Sequence, residues 1–407
     1  MGIVTAAGWT PEEVWSAIEG EESGLGRLTL FDSPRCGHMP VAQVRDDPAA
    51  RSDPAARSGP AARSGLHEGS RTDHLAVYAA RRAFGDAGLD SLADADRREI
   101  GVVFGTSTGG ILDSEGFLRR LMLEDRLDVS LLRFHLCSSP ANAVAGTLGL
   151  LGFRATVSNA CASGATAIAT ACEVLESGEA EIVLAGGADS LARLTLNGFC
   201  SLLNVAADGC RPFDAERAGL SLGEGAAIVV LESEAHARAR GARIHAYVAG
   251  HGSTCDAYHA TAPRPDGSRA LAAMRSALDD AGMNPTDVDY VNAHGTGTVD
   301  NDLAEARALM QLFDGHPPPW SSTKRFFGHT LAAAGAIETV VSILALHRQR
   351  VPANLGLRRV DPAIGFEPIG HTSDGDLTVA MTNSFGFGGN NCSLLVERPT
   401  DDRGQGT

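Results

Sequence analysis

One cysteine and two distant histidines are the residues of this chain whose types and settings suit covalent chemistry. Cys161 lies in Asn159-Ala-Cys-Ala-Ser-Gly164, where a short strand reading (Ala155 to Ser158) gives way to a helix of small residues from Ala162 to Cys172. A thiol at the first turn of a helix meets unpaired N–H groups and the positive end of the macrodipole. Both favour the thiolate, which is the nucleophile. His294 lies in Asn292-Ala-His-Gly-Thr-Gly-Thr298, and His329 ends Lys324-Arg-Phe-Phe-Gly-His329. One activated thiol with two imidazoles far off in sequence points to acyl chemistry through a covalent intermediate. A lone cysteine is more often a small core residue, so the elements that carry these groups decide between the two readings.

Those elements recur. Tyr78-Ala-Ala-Arg-Arg-Ala-Phe-Gly-Asp-Ala-Gly-Leu89 leads into Ile100-Gly-Val-Val-Phe-Gly-Thr-Ser-Thr-Gly109, and Met274-Arg-Ser-Ala-Leu-Asp-Asp-Ala-Gly-Met283 leads into Tyr290-Val-Asn-Ala-His-Gly-Thr-Gly297. Each is an alanine-rich amphipathic helix ended by glycine, then an apolar strand that stops at a glycine–threonine turn. Such units predict largely parallel sheet with helices outside, and their recurrence predicts an internal duplication. The halves divide near 235–242, giving domains 1–238 and 239–407. A second repeat, Asp47-Pro-Ala-Ala-Arg-Ser followed by Asp53-Pro-Ala-Ala-Arg-Ser and Gly59-Pro-Ala-Ala-Arg-Ser64, has a proline in every unit. Proline disfavours helix in the residue before it, so 47–64 reads as an exposed, mobile loop.

Composition narrows the class. The 407 residues include 47 glycines and are 43% hydrophobic but only 5% aromatic. This fits a well-buried α/β protein whose core is built from Ala, Leu, Val and Gly. Eight cysteines without a C-x-x-C pair read as reduced thiols, with no metal site. The first residues show no basic segment followed by an apolar run, and no apolar stretch reads as long enough to span a bilayer, so a cytoplasmic protein is expected. A net charge of −16 argues against non-specific nucleic-acid binding.

An ordered set of motifs then covers nearly the whole chain: Gly105-Thr-Ser-Thr-Gly-Gly110, the Cys161 segment, Ala185-Gly-Gly-Ala-Asp189, Arg211-Pro-Phe-Asp214, Asp256-Ala-Tyr-His259, Asn292-Ala-His-Gly-Thr296, Ser321-Ser-Thr-Lys324, Gly328-His329 and Asn383-Ser-Phe-Gly-Phe-Gly-Gly389. In this order they resemble the elongating β-ketoacyl-acyl-carrier-protein synthases of the thiolase superfamily. The resemblance implies a thiolase-like fold, two βαβαβαββ halves in five layers, α-β-α-β-α. Family members usually begin with a longer first strand than Met1-Gly-Ile-Val-Thr5 provides, so a shortened strand or a late start is expected.

The resemblance also implies roles. Cys161 accepts the acyl chain, and the N–H groups of Cys161 and Phe387 hold the oxyanion, with the Phe387 side chain as the gate of the acyl tunnel. His294 and His329 stabilise the enolate formed when malonyl-carrier decarboxylates. Lys324 and Glu305 form a buried charged pair behind the imidazoles. Thr261, Thr296 and Thr298 bind the phosphopantetheine arm, and Ala262 stands where the family often has Ser. Thr108 replaces a bulky aliphatic at the acyl pocket. Arg71 and Arg126 are implied contacts for an acidic acyl carrier protein, joined by Arg51, Arg57 and Arg63 if the repeat folds toward the entrance. No cofactor is implied beyond the carrier's own arm.

The His/His pair separates the chain from thiolases, which pair one His with a second Cys; Cys392 in Asn390-Asn391-Cys392 lacks the glycine setting of such a base. A non-catalytic chain-length partner of the same fold is the alternative, and such partners typically lose the nucleophile that this chain retains. Thr108, Ala262, the short start and Leu303 (where a Lys is frequent) lean toward a type II polyketide or polyene pathway over fatty-acid synthesis. A dimer, with itself or with a ketosynthase-like subunit, is expected across the edge strand Ala155–Ser158.

Overall fold

Two five-stranded mixed sheets share one connectivity. The first contains β1 (Gly2–Val4), β2 (Gly101–Gly105), β3 (Arg154–Val157), β4 (Ile182–Asp189) and β5 (Gly225–Glu232) in the order β1-β5-β4-β2-β3. The second contains β6 (Tyr247–Cys255), β7 (Tyr290–Asn292), β8 (Trp320–Ser321), β11 (Val379–Gly386) and β12 (Asn390–Glu397) in the order β6-β12-β11-β7-β8. A separate small ladder joins β9 (Arg350–Val351) to β10 (Ser373–Asp374). By position within its sheet, each order is first-fifth-fourth-second-third, so the duplication expected from the helix–strand units is present. The computed structural model describes residues 1–52 and 69–399.

The sheets are less parallel than the repeats predicted. β2 runs parallel to β3 and β4, and β7 to β8 and β11, but β1, β5, β6 and β12 are antiparallel to their neighbours. In each sheet the last strand turns back beside its predecessor; β11 and β12 do so through the three residues Phe387-Gly388-Gly389. That return needs no crossover helix.

Five layers result. Helix α1 (Arg71–Asp86) covers the outer face of the first sheet, with Leu75, Ala79, Ala83 and Phe84 packed on Val102, Leu184 and Ile228. Helix α5 (Ser268–Ala281) and helix α6 (Val299–Leu312) cover the outer face of the second, with Leu271, Met274 and Leu309 against Val291, Met381 and Leu395. Between the sheets lie α3 (Ser163–Glu176) and α7 (Ala334–Arg348), sharing one core with residues of both sheets. Small residues make this crossing possible. A Cβ on Gly164 would stand 2.5 Å from the Ala332 carbonyl oxygen, and one on Gly335 would stand 2.5 Å from Ser384 Oγ. No side chain fits there.

Two expectations need correction. Leu331–Arg348 is, by length and composition, apolar enough to cross a membrane, with a mean hydropathy of 1.4, yet 89% of it is buried inside the protein. It is apolar on every side because sheet lies on both faces of it. In the proline repeat, Pro48–Ser52 forms a turn of helix rather than loop, and Arg51 lies 4.5 Å over the Trp9 ring and pairs with Asp46. Arg57 and Arg63 lie outside the described residues. Helix α2 (Ile111–Glu124) buries none of its residues and, with the segment after it, exposes Met122, Leu123, Leu127 and Leu136. Helix α4 (Arg193–Ser201) follows β4.

Candidate active site

Cys161 is set by a tight turn. Between β3 and α3 the chain makes a single 3-10 turn, Ala160–Ala162, entered with Ala160 at φ 58. A non-glycine residue in that region is strained, by about 1–3 kcal/mol. The turn is held by Ser163, whose Oγ donates to the Ala160 carbonyl (2.6 Å) and accepts from the Asn159 N–H (3.0 Å). Asp189, at the end of β4, holds the loops on either side. Its carboxylate accepts from Thr106 Oγ1, from the N–H groups of Ser107 and Thr108, from Thr108 Oγ1, and from the Ala332 N–H. A carboxylate at the end of an apolar strand was visible in the sequence, but its five donors come from two distant segments.

The structure brings the predicted reactive groups together. His329 Nε2 lies 3.0 Å from Cys161 Sγ, and the His294 and His329 rings meet edge to face at 5.3 Å. Both imidazoles are buried, which drives their pKa well below the ordinary histidine value, and Lys324 lowers them further. Both are therefore neutral near pH 7. Lys324 donates to the His294 carbonyl at 2.8 Å and stands 3.5 Å from its Nδ1, leaving Nε2 as the ring nitrogen that carries the proton into the cavity. His329 Nδ1 is buried with no hydrogen-bond partner among the described residues, so the Cys161 thiol facing Nε2 is the contact that bears on that ring's tautomer.

The thiol itself departs from expectation. Burial pushes Cys161 up to about 11, although the backbone N–H groups of Phe387 and of Cys161 and the charge of Lys324 pull it down. Cys161 is 5% exposed. Loss of hydration outweighs the helix terminus, and the resting group is a thiol. The two N–H groups that act on the sulfur are the predicted oxyanion donors. Gly386 permits their approach, since a Cβ there would be 3.0 Å from Cys161 N.

The charged pair also differs from the reading. Lys324 pairs with Glu338 on α7, not with Glu305. Glu305 instead accepts the N–H groups of His294 and Gly295, each at 2.8 Å, and burial raises it to about 7. It fixes the His294 backbone while Lys324 fixes the ring. Glu338 carries the one charge in the run Leu331–Leu346; a lone carboxylate inside an apolar helix is the signal that could have found it.

A cavity of ≈ 400 Å³ opens from Cys161, His294 and His329 past Thr296, Thr298, Thr261, Ala262 and Phe387. Thr296 and Thr298 share a hydrogen bond at 2.9 Å. The Phe387 ring packs on Phe199 of α4, with centroids 5.2 Å apart. Thr108 is not among the residues that line this cavity, and its hydroxyl is held by Asp189 at 2.8 Å. Arg71 is also not a docking cation. It turns inward, making two bonds to Glu224 (2.5 and 2.9 Å) and one to the Val44 carbonyl (2.9 Å). Arg126 is exposed, 3.8 Å from Glu124. Among the described residues no cluster of His, Cys, Asp and Glu could hold a metal ion.

Comparison with known proteins agrees with this geometry. The patterns described as "Beta-ketoacyl synthase, N-terminal domain" and "Beta-ketoacyl synthase, C-terminal domain" match residues 1–237 and 245–358. The chain is 34% identical to 3-oxoacyl-[acyl-carrier-protein] synthase 2 of Synechocystis sp., covering 98% of this chain and 96% of that protein. It is 33% identical to putative polyketide beta-ketoacyl synthase 1 of Streptomyces halstedii, covering 98% and 97%. Among solved structures it resembles the ishigamide ketosynthase/chain length factor, with TM-score 0.91, 32% identity and 98% coverage of each chain.

Proposed function

The chain belongs to the β-ketoacyl synthase family, and from that membership we propose that it is a 3-oxoacyl-[acyl-carrier-protein] synthase working by decarboxylative condensation. The observation that carries this reading is the convergence on Cys161 of His329 Nε2, at 3.0 Å, and of two backbone N–H groups. In the first half-reaction the sulfur attacks the carrier-bound acyl thioester. His329 takes the thiol proton and returns it to the departing carrier sulfur. The N–H groups of Cys161 and Phe387 hold the oxyanion. In the second, malonyl-carrier loses CO₂ and its thioester oxygen becomes an enolate. His294, held with its proton at Nε2, and His329, released from the thiol once Cys161 is acylated, donate to that oxygen. The carbanion attacks the acyl-Cys161 carbonyl, the same N–H pair holds the new oxyanion, and collapse expels the thiolate, which regains a proton.

Thr261, Thr296 and Thr298, lining the way in, suit the amides and hydroxyl of a phosphopantetheine arm. The retained Cys161, His294, His329 and Lys324 favour the enzyme over a non-catalytic chain-length partner. Thr108, Ala262 and Leu303 favour a type II polyketide-like pathway over fatty-acid synthesis. The partner is an acyl carrier protein, the setting is cytoplasmic, and the chain pairs through β3. That strand is an unpaired sheet edge, and the exposed apolar arm after α2 leaves surface for a second subunit to cover. Light scattering on the purified chain should give twice the chain mass.

Intact-protein mass spectrometry with an acyl-carrier donor tests the chemistry. Wild type should gain one acyl group and Cys161→Ala none, while both show the same circular dichroism. An adduct that persists on Cys161→Ala would sink the assignment.

A further inference from the structure

Away from the condensing chemistry, a pair of thiols stands one residue from the gate. Cys36 and Cys200 belong to one apolar patch with Phe31, Leu196 and Leu220, and the Cys36 thiol acts on that of Cys200. A second rung sets their register. Ser33 Oγ donates to Asn197 Oδ1 at 2.8 Å, and each of these residues precedes its cysteine by three. On one side the turn is fixed by the Cys36 N–H to Ser33 Oγ (3.3 Å) and the Gly37 N–H to the Ser33 carbonyl (2.7 Å). On the other, Asn197 and Cys200 share a face of α4, as residues three apart on a helix do. Two ordered turns therefore bring the two cysteines to the same patch. Cys36 is buried and Cys200 half-buried, so a reagent meets Cys200 first.

We propose that Cys36 and Cys200 form a redox-modification site, a dithiol that low-molecular-weight disulfides convert to an intramolecular disulfide, and that this bond restrains the Phe387 gate through Phe199. The Cys200 thiolate attacks one sulfur of RS–SR, forming a mixed disulfide and expelling RS⁻, which is protonated to RSH. The Cys36 thiolate then attacks Cys200 Sγ and expels the second RS⁻. Two protein thiols are oxidised, one external disulfide is reduced, and the two thiol protons leave on two RSH. Burial, and then the neighbouring Cys36, push the Cys200 thiol up to about 12, so the exchange should quicken as pH rises. The link to the gate is one residue long, because Phe199 adjoins Cys200 and its ring packs on Phe387. Closing the bond ties the end of α4 to the 33–37 turn and holds that ring in place.

The cross-link stands independently of the acyl-transfer reading, whereas its effect on turnover rests on it. Full-length protein is incubated with glutathione disulfide and mapped by peptide mass spectrometry without reduction. We expect a linked pair of peptides containing Cys36 and Cys200, two hydrogens lighter than the free peptides and separated by dithiothreitol. It should also form in Cys161→Ala. If the linked pair is absent even at alkaline pH, or does not grow as pH rises, the site is refuted. In the condensation assay, oxidised wild type should lose roughly tenfold in turnover, as for a hindered gating step, and recover on reduction. Cys36→Ser and Cys200→Ser, each tested separately, should be unaffected by the same treatment. Equal loss in wild type and both variants would place the loss at another thiol and overturn the link to the gate.

Discussion

Lys324 and Glu338 form an ion pair in which each side chain is 2% exposed, and the same ammonium reaches the His294 carbonyl at 2.8 Å. One charge thus anchors the His294 imidazole and neutralises a carboxylate on the central helix α7. Burial raises Glu338 to about 7, opposed by Lys324. Glu338→Gln leaves a buried ammonium without its counter-charge and should cost about 3–5 kcal/mol in denaturant unfolding. Lys324→Met should cost less, because an unpaired Glu338 takes up a proton near neutral pH. It should instead lower kcat, as His294 loses the group that holds its tautomer.

The two imidazoles should separate in single-turnover experiments. Among the described residues His329 is the histidine in hydrogen-bond reach of the sulfur. His329→Ala should slow acylation of Cys161 by about 10²-fold, in the range of general acid–base catalysis. His294→Ala should leave acylation near the wild-type rate. Both should abolish malonyl decarboxylation, so acyl-enzyme should accumulate in His294→Ala. Equal acylation rates in the two variants would remove His329 from the first half-reaction.

Arg71 should act on stability rather than on the carrier. Its side chain is 13% exposed and that of Glu224 is fully buried. Glu224 also accepts the N–H groups of Val44 and Leu191. Arg71→Ala should destabilise the fold by about 3 kcal/mol, as for a broken buried pair. The KM for carrier-bound substrate should stay unchanged in the folded fraction. A salt-sensitive rise in KM would restore Arg71 to the docking surface.

The histidines also fix the sign of the response to acid. Their pKa in the folded protein lies well below the ordinary 6.5, so the unfolded chain binds more protons below that value. Stability is complete above pH 6.5 and falls as pH drops toward the folded-state values. Activity should show no inflection at 6.5, and its acid limb should lie lower. Denaturation midpoints and kcat/KM measured from pH 5 to 8 test both.

The sequence showed what local composition encodes. Small residues around Cys161 and the glycine-rich settings of His294 and His329 marked the thiol and the two imidazoles that the fold brings together, and the paired helix–strand units announced the duplication. What it hid depends on long-range geometry. Arg71 reads as a surface cation until Glu224, 153 residues away, is found beside it. Glu305 lies near His294 in sequence, which drew the charged pair toward it, whereas the fold puts Glu338 next to the ammonium. The helix terminus at Cys161 was legible, but the depth of burial that overrides it was not. The antiparallel return of β5 and β12 was missed because an apolar run does not reveal its direction.

The burial of Cys161 bears on how the protein can be labelled. Alkyl halides and maleimides select thiols by how readily they ionise, so they should find exposed Cys255 before Cys161. An electrophile bearing a carbonyl that fits between the N–H groups of Cys161 and Phe387 meets a different filter, because the protein stabilises the charge only as the bond forms. Probes shaped like a thioester should therefore mark this one residue in a crude extract where general thiol reagents miss it.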